Sequence, residues 1–252
     1  MSRIGAATVL FATACVVSAP ASAPALVHAP ASFLAKGTTR GTVTSANWSG
    51  FGDSAAVYTD VHASWVQPAA SCTTAGHKYA AFWVGLDGYT STSVEQIGAD
   101  SDCASKGKPS YYGWFEMYPA PSFTLTGYAV SAGDSLTADV SAAAGTFTLT
   151  LTNNTKGWTF HTVQSSSAQP SSAEWIAEAP SLCRRSCRVL PLANFGTVTF
   201  TNAGATGNLR TGTIASFTND AIAMATRRGV VKAQPGPLSA TGDSFSATWH
   251  HA

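Results

Sequence analysis

Charge is scarce in this chain: Asp, Glu, Lys and Arg make up 11% of 252 residues, and the formal net charge is +1. With no basic cluster to neutralise phosphates, the chain carries no electrostatic footprint for nucleic acid. Beyond the N-terminus no run reaches the 18 or so apolar residues that a membrane-spanning helix needs. Amphipathic helix periodicity is nearly absent, which excludes a helical bundle; only Ser186–Phe195 fits a turn or two of helix. The chemical signatures missing are as informative. There is no His-Glu-x-x-His for zinc, no Gly-x-Ser-x-Gly nucleophile elbow, and no Asp-Ser/Thr-Gly of the pepsin-like proteases. Glutamate occurs only four times. Few carboxylates means few paired groups to lose on protonation, so acid unfolding should be weak.

What is present begins with an export signal. Arg3 forms a positive start, Ile4 to Val17 an apolar core, and Ala21-Ser22-Ala23 a cleavage-like site, so residues 1–23 read as a secretory signal peptide. The expected product is extracellular, with no membrane attachment after signal removal. Residues 24–43 are rich in Ala, Pro, Ser and Thr and read as a linker or short propeptide; residues 44–252 read as one domain. Four cysteines follow the signal: Cys72, Cys103, Cys183 and Cys187. An even count in an exported chain favours disulfides, and proximity favours Cys183–Cys187 and Cys72–Cys103 among three possible pairings. Zinc is the rival, but Cys-x3-Cys without a matching pair or nearby His is poor ligand spacing.

From Asn47 onward, short runs rich in Val, Thr, Phe, Tyr and Trp alternate with Gly, Asn, Asp and Pro. Eleven such runs, from Tyr58–Val66 to Ser244–Trp249, read as strands of an all-β, antiparallel two-sheet sandwich of jelly-roll type. Gly133-Asp134-Ser135-Leu136 spells a lipase tetrapeptide and Gly242-Asp243-Ser244-Phe245 nearly repeats it, yet a Gly-Asp turn opening a strand explains both. Asn47-Trp48-Ser49 and Asn153-Asn154-Thr155 are sequons, relevant only in a glycosylating host.

Three of the four glutamates sit among aromatics: Glu116 in Tyr112-Gly113-Trp114-Phe115-Glu116, and Glu174 and Glu178 around Trp175-Ile176. Burying carboxyls there is costly and raises their pKa, which suits acid–base chemistry. Period two puts Tyr112, Trp114, Glu116 and Tyr118 on one face; Glu174, Ile176 and Glu178 share a face with Trp175 opposite. Trp83 is opposed in phase to Phe82 and Val84.

Six stretches then stand in order: Asn47-Trp48-Ser49-Gly50; Phe82-Trp83-Val84-Gly85-Leu86-Asp87-Gly88; Val94-Glu95-Gln96-Ile97-Gly98; Tyr112 to Pro119; Gly133-Asp134; and Ala173-Glu174-Trp175-Ile176-Ala177-Glu178. Over roughly residues 45 to 250 this resembles the glutamic peptidases (eqolisins, family G1), acid endopeptidases secreted by fungi and some bacteria, and the chain reads as a bacterial member. The resemblance implies a β-sandwich with a concave substrate groove, a catalytic Gln96–Glu178 dyad, and Trp83, Asp87, Asp100 and Glu116 in its supporting surroundings. Tyr112 is a departure, standing where the fungal enzymes carry Asp. The implied activity is pepstatin-insensitive, with protein or peptide substrates, no cofactor or metal, and a monomer as the working unit. The alternative reading is a carbohydrate-binding or glycoside-hydrolysing sandwich using the same face, with Glu116 and Glu178 as its two acids.

Overall fold

In a computed structural model, residues 25–31, 35–36, 42–73, 76–104 and 107–252 are described. The expected signal peptide and its cleavage site lie outside them. Twenty strands and a single 3-10 turn, Ile214–Ser216, account for the regular structure among the described residues. The sequence makes this inevitable: Thr, Val and aromatic residues alternate with small polar ones, and turn residues interrupt every run.

The strands form one hydrogen-bonded network that folds over into two facing layers, plus a small three-stranded sheet. The first layer runs Phe123–Ala129, Pro109–Tyr118, Val94–Cys103, Ala81–Leu86, Ala173–Glu178, Trp48–Ser54, Thr218–Ala225. The second runs Trp158–Ser165, Thr146–Asn153, Ser135–Ala143, Tyr58–Val66, Thr197–Gly207, Phe245–Trp249. Strand Val231–Pro235 joins them at one edge, pairing with Thr218–Ala225 on one side and Phe245–Trp249 on the other. Among the described strands, pairing is antiparallel except between Thr42–Ser45 and Ala221–Met224; the isolated bridge Tyr79–Leu192 is also parallel. Ser186–Phe195 is not helical: it carries strand Cys187–Val189 and isolated bridges at Leu192 and Asn194. Cys187 is disulfide-bonded to Cys183, which holds the segment as a hairpin too short for a helical turn. Cys72 is bonded to Cys103.

Strand phase separates two buried faces of the first layer. Phe82, Val84, Leu86, Ile97, Ala99, Trp175 and Ala177 face the second layer, and Trp175 Nε1 donates to His62 O there at 2.9 Å. The other face carries Trp48, Trp83, Trp114, Val94 and Ile176. On this face Asp100, Glu116 and Glu178 are interleaved with those aromatics on neighbouring strands, and it forms the groove. Both Gly-Asp tetrapeptides are turns, with φ +84° at Gly133 and +74° at Gly242. Both sequon asparagines are buried, and Asn153 Nδ2 is bonded to Asp134 Oδ2 at 2.7 Å, so neither is a glycosylation acceptor.

Candidate active site

The groove is built across four adjacent strands. Gln96 on Val94–Cys103 sits opposite Glu116 on Pro109–Tyr118 on one side and Gly85 on Ala81–Leu86 on the other. Gly85 is needed because a Cβ there would come within 3.0 Å of the Trp83 ring and 3.1 Å of Gln96 Cβ. Gly98 is needed because its Cβ would fall 2.2 Å from Phe82 O and 2.5 Å from Trp83 Cβ. Two glycines thus let Trp83 and Gln96 share the face. Trp83 in turn donates its indole N–H to Glu178 Oε2 at 2.9 Å, one strand further along.

Residues 25–31 of the chain itself lie across this groove. Ala25–Val27 pairs with Ser181–Cys183, just beyond Glu178. Leu26 O accepts from Ser122 Oγ at 3.2 Å, and Ala31 N–H donates to Gly88 O at 3.1 Å. Between those anchors the peptide groups meet the candidate residues directly. Gln96 Nε2 donates to His28 O at 2.5 Å. His28 N–H donates to Glu116 Oε2 at 2.8 Å. Ala29 O accepts from Asn47 Nδ2 and Trp48 Nε1, each at 3.0 Å, and Pro30 O accepts from Asn47 Nδ2 at 3.2 Å. Asn47 Nδ2 also makes a long, 3.5 Å contact to Glu178 Oε1. Gln96 therefore meets the segment directly, and Glu178 is linked to it through Asn47, which also bonds Ala29 O and Pro30 O.

The His28 imidazole is fully buried in a fitted recess. It stacks on Trp114 with centroids 3.4 Å apart and planes 2° from parallel. Nδ1 lies 3.1 Å from Glu116 Oε2, and Nε2 lies 3.3 Å from Asp100 Oδ1, an ion-pair distance without hydrogen-bond alignment. Burial alone would keep the ring neutral, but the Asp100 and Glu116 carboxyls outweigh it and push its pKa up to about 10. Asp100 is fixed from behind by Trp114 Nε1 at 2.6 Å and Tyr112 Oη at 2.8 Å. Tyr112 Oη is also 2.8 Å from Asp102 Oδ2. One hydroxyl proton cannot serve two carboxylates, so one of the two acids must donate. Burial, with Asp100 beside it, pushes the Asp102 carboxyl up to about 8, which favours its protonated form. Tyr112 thereby bridges two acids of the neighbouring strand.

Glu178 is fully buried, and that burial pushes it up to about 8; the His28 charge and the Trp83 N–H pull the other way. Glu116 is likewise raised by burial, against the pull of His28. Asp87 belongs elsewhere among the supporting residues. It ends strand Ala81–Leu86 in a left-handed conformation, φ +71°, and its Oδ1 accepts from Ser171 N and Oγ, each at 2.8 Å. Its contacts pin the turn rather than reach Gln96 or Glu178. The sequence reading assigned no role to Asn47, Trp48 or His28. The first two belong to the Asn47-Trp48-Ser49-Gly50 stretch and could have been promoted from it; a lone His in an Ala/Pro-rich segment carried no signal.

A two-layer β-sandwich whose concave face holds a glutamine, a tryptophan-anchored glutamate and an extended peptide defines a peptidase-like class of protein. The Peptidase A4 family model matches residues 46–234, and the chain belongs to that family, the eqolisins or glutamic peptidases. It is similar to aspergillopepsin-2 of Aspergillus niger, 35% identical over 133 residues, covering 50% of this chain and 46% of that protein. It is also similar to scytalidopepsin B of Scytalidium lignicola, 34% identical over 136 residues, covering 50% and 51% respectively. The chain spans about half the length of these curated relatives. Among solved structures, scytalido-glutamic peptidase with a transition-state analogue inhibitor superposes with a TM-score of 0.71 at 26% identity, covering 81% of this chain and 98% of that one.

Proposed function

We propose that this chain is an exported acid endopeptidase that hydrolyses peptide bonds of proteins with the Gln96–Glu178 pair, acting as a monomer. The observation that carries the reading is the peptide in the groove: a backbone carbonyl, that of His28, lies on Gln96 Nε2 beside the Trp83-anchored Glu178. The solved relative was crystallised with a transition-state analogue inhibitor, in keeping with a groove that binds the reacting centre.

The chemistry follows from the residue types. Glu178, as carboxylate, takes a proton from water; the water oxygen attacks the carbonyl carbon; Gln96 N–H stabilises the oxyanion; Glu178 then protonates the leaving amine. A neutral amide donor keeps working in acid, where a cationic or anionic partner would be tied to its own titration. Burial raises the Glu178 carboxyl and favours its protonated form. A water donating to the carboxylate acts in the same direction as Trp83 N–H and favours the ionised form. Entry of water and substrate thus sets up the base.

The sugar-directed reading has no comparable support, since Glu116 Oε2 is occupied by a backbone N–H and an imidazole. Incubation of the protein with denatured casein near pH 3.5 tests the proposal. Cleavage resistant to pepstatin and lost in Glu178→Gln is expected; full cleavage by Glu178→Gln would sink it.

A further inference from the structure

Six of the 14 Lys and Arg residues belong to two segments that meet around one cavity outside the groove. The sequence carries them as two short groups, Arg184-Arg185-Ser186-Cys187-Arg188 and Arg227-Arg228 with Lys232, and only the fold joins them. The first group is the tip and return strand of the hairpin closed by Cys183–Cys187. The second belongs to the turn between Thr218–Ala225 and Val231–Pro235, where Thr226 N–H donates to Val230 O at 2.9 Å. Between hairpin and turn lies a cavity of about 360 Å³, lined by Arg188, Thr226 and Lys232 among others. Ala25–Val27 pairs with one edge of Ser181–Cys183, and Cys187–Val189 holds the other edge. The cavity is therefore on the far side of the hairpin from the peptide segment and from Gln96.

Lys232 is placed by a β-bulge. Ala225 pairs with Val231 and Met224 with Ala233, so Lys232 is left over between them. Its carbonyl is used twice, accepting from His250 N–H at 2.8 Å and His251 N–H at 3.1 Å. The residue is only 7% exposed, and its side chain makes no hydrogen bond or ion pair among the described residues. Burial, with no carboxyl to oppose it, pulls its pKa down. No Asp or Glu lines the cavity; Ala252 does, and its O lies 2.9 Å from His251 Nδ1 rather than on Lys232. A buried ammonium without a counter-charge is costly, and an anion entering the cavity would offset that cost. Val189, Leu190 and Pro191 supply an apolar part of the lining. A bare tetrahedral anion is far smaller than the cavity, since one water takes about 30 Å³ of liquid. The ligand that fits has a charged head and an organic body.

We propose that this cavity binds a phosphate monoester, with Lys232 and Arg188 holding the phosphate and Val189, Leu190 and Pro191 receiving the body that carries it. A phosphate monoester brings close to two charges and three acceptor oxygens at neutral pH. That matches an ammonium and a guanidinium fork together better than a carboxylate, with one charge and two oxygens. Arg184, Arg185, Arg227 and Arg228 are exposed around the site and add a positive field that draws in an anion without having to touch it. A phosphorylated residue of a protein and a small polyol phosphate present the same head group to these residues. Binding there makes and breaks no bond, and it does not depend on the Gln96–Glu178 reading.

Isothermal titration of the full chain at pH 7 and low salt tests this with five probes. They are N-acetyl-phosphoserine amide, glycerol phosphate, inorganic phosphate, N-acetyl-aspartate amide and an oligothymidylate without a terminal phosphate. Both monoesters are expected to bind, the tighter of the two naming a protein-borne or a polyol-borne source. Inorganic phosphate should bind more weakly for want of a body, and the aspartate probe about tenfold or more weakly for want of charge and acceptors. Lys232→Met removes the charge at similar volume and should weaken monoester binding about tenfold or more. Its thermal midpoint should not fall, because an uncompensated buried charge is gone. Arg188→Gln, on the exposed strand, should weaken binding about threefold or more. Binding of neither monoester, or the same Kd in both variants as in the unaltered chain, overturns the site. Equal binding of the aspartate probe or of inorganic phosphate overturns the monoester assignment. An oligothymidylate held more tightly than either monoester marks a nucleic-acid surface instead and overturns it too.

Discussion

Glu174 and Glu178 lie four residues apart on one strand, share a face and are both fully buried, yet their surroundings differ in kind. Glu178 is held by Trp83 N–H and neighbours Asn47, which also bonds the Ala29 and Pro30 carbonyls. Glu174 is enclosed by the sheet and the Tyr89 turn, has Ser172 and Tyr89 N–H as polar neighbours, and makes no aligned hydrogen bond through either oxygen among the described residues. Burial raises both. Only one has an anchored geometry and an amide donor beside it. A buried carboxyl becomes chemically useful through those additions, and without them it is a neutral filler that must keep its proton.

The comparison can be broken at several points. The largest effect belongs to Glu178→Gln, which removes the general base and acid and should cost about 10²–10⁴ in turnover on a peptide substrate. Adding Gln96→Ala to it should cost little more, because residues acting as one unit are strongly non-additive. Stopped assays on the single and double variants check this, and an independent second loss would separate the two roles. Gln96→Ala alone should lower kcat by about 10²–10³ with KM changed far less, the signature of a donor needed in the transition state. Trp83→Phe keeps the ring and deletes the N–H. It should lower kcat by about tenfold, the ~1.4 kcal/mol of one hydrogen bond to a charged group, and move the acid limb of the pH–rate profile upward, since the ionised form of Glu178 loses a donor.

The smallest effect concerns stability. Burial pushes Asp53 up to about 9 and Glu95 up to about 7, and holds Glu174 well above its ordinary value. Each of these folded-state values exceeds the unfolded one. The stability they contribute is therefore full below about pH 4 and drains away as pH rises through 7 to 9. His28, raised to about 10, acts in the same direction. Asp134, lowered by its hydrogen bonds and Lys156, is the counterweight: its contribution is lost as pH falls below the ordinary aspartate range. Thermal melts should give a higher midpoint at pH 4 than at pH 8.5, and Asp53→Asn or Glu174→Gln should narrow that gap. A midpoint that rises with pH would contradict the assignment of these acids as buried and uncompensated.

The sequence made much of this arrangement readable. Period two put Glu116, Trp114 and Tyr112 on one face and opposed Trp175 to Glu174 and Glu178, and the two layers of the structure use those phases. Tyr58–Val66 and Thr146–Asn153 were legible to the residue because each has one face on the core and one toward solvent. Trp48–Ser54 was not, since it is central, covered on both faces and carries two glycines, so neither alternation nor strand propensity marks it. Phe123–Ala129 escaped for the opposite reason, as an exposed edge strand following Pro119 and Pro121. The groove's occupant was invisible because Ala, Pro and Val specify no contact by themselves. His28 acquires its meaning only from Trp114, Asp100 and Glu116, which lie more than 70 residues further along the chain.

The most direct test sets Glu174→Gln beside Glu178→Gln, each incubated with denatured casein at pH 3.5 in the presence of pepstatin. The account predicts cleavage by Glu174→Gln within about threefold of the unaltered chain, as for a substitution outside the reacting groups, and none above background by Glu178→Gln. Equal loss in both variants, or activity retained by Glu178→Gln, would contradict it.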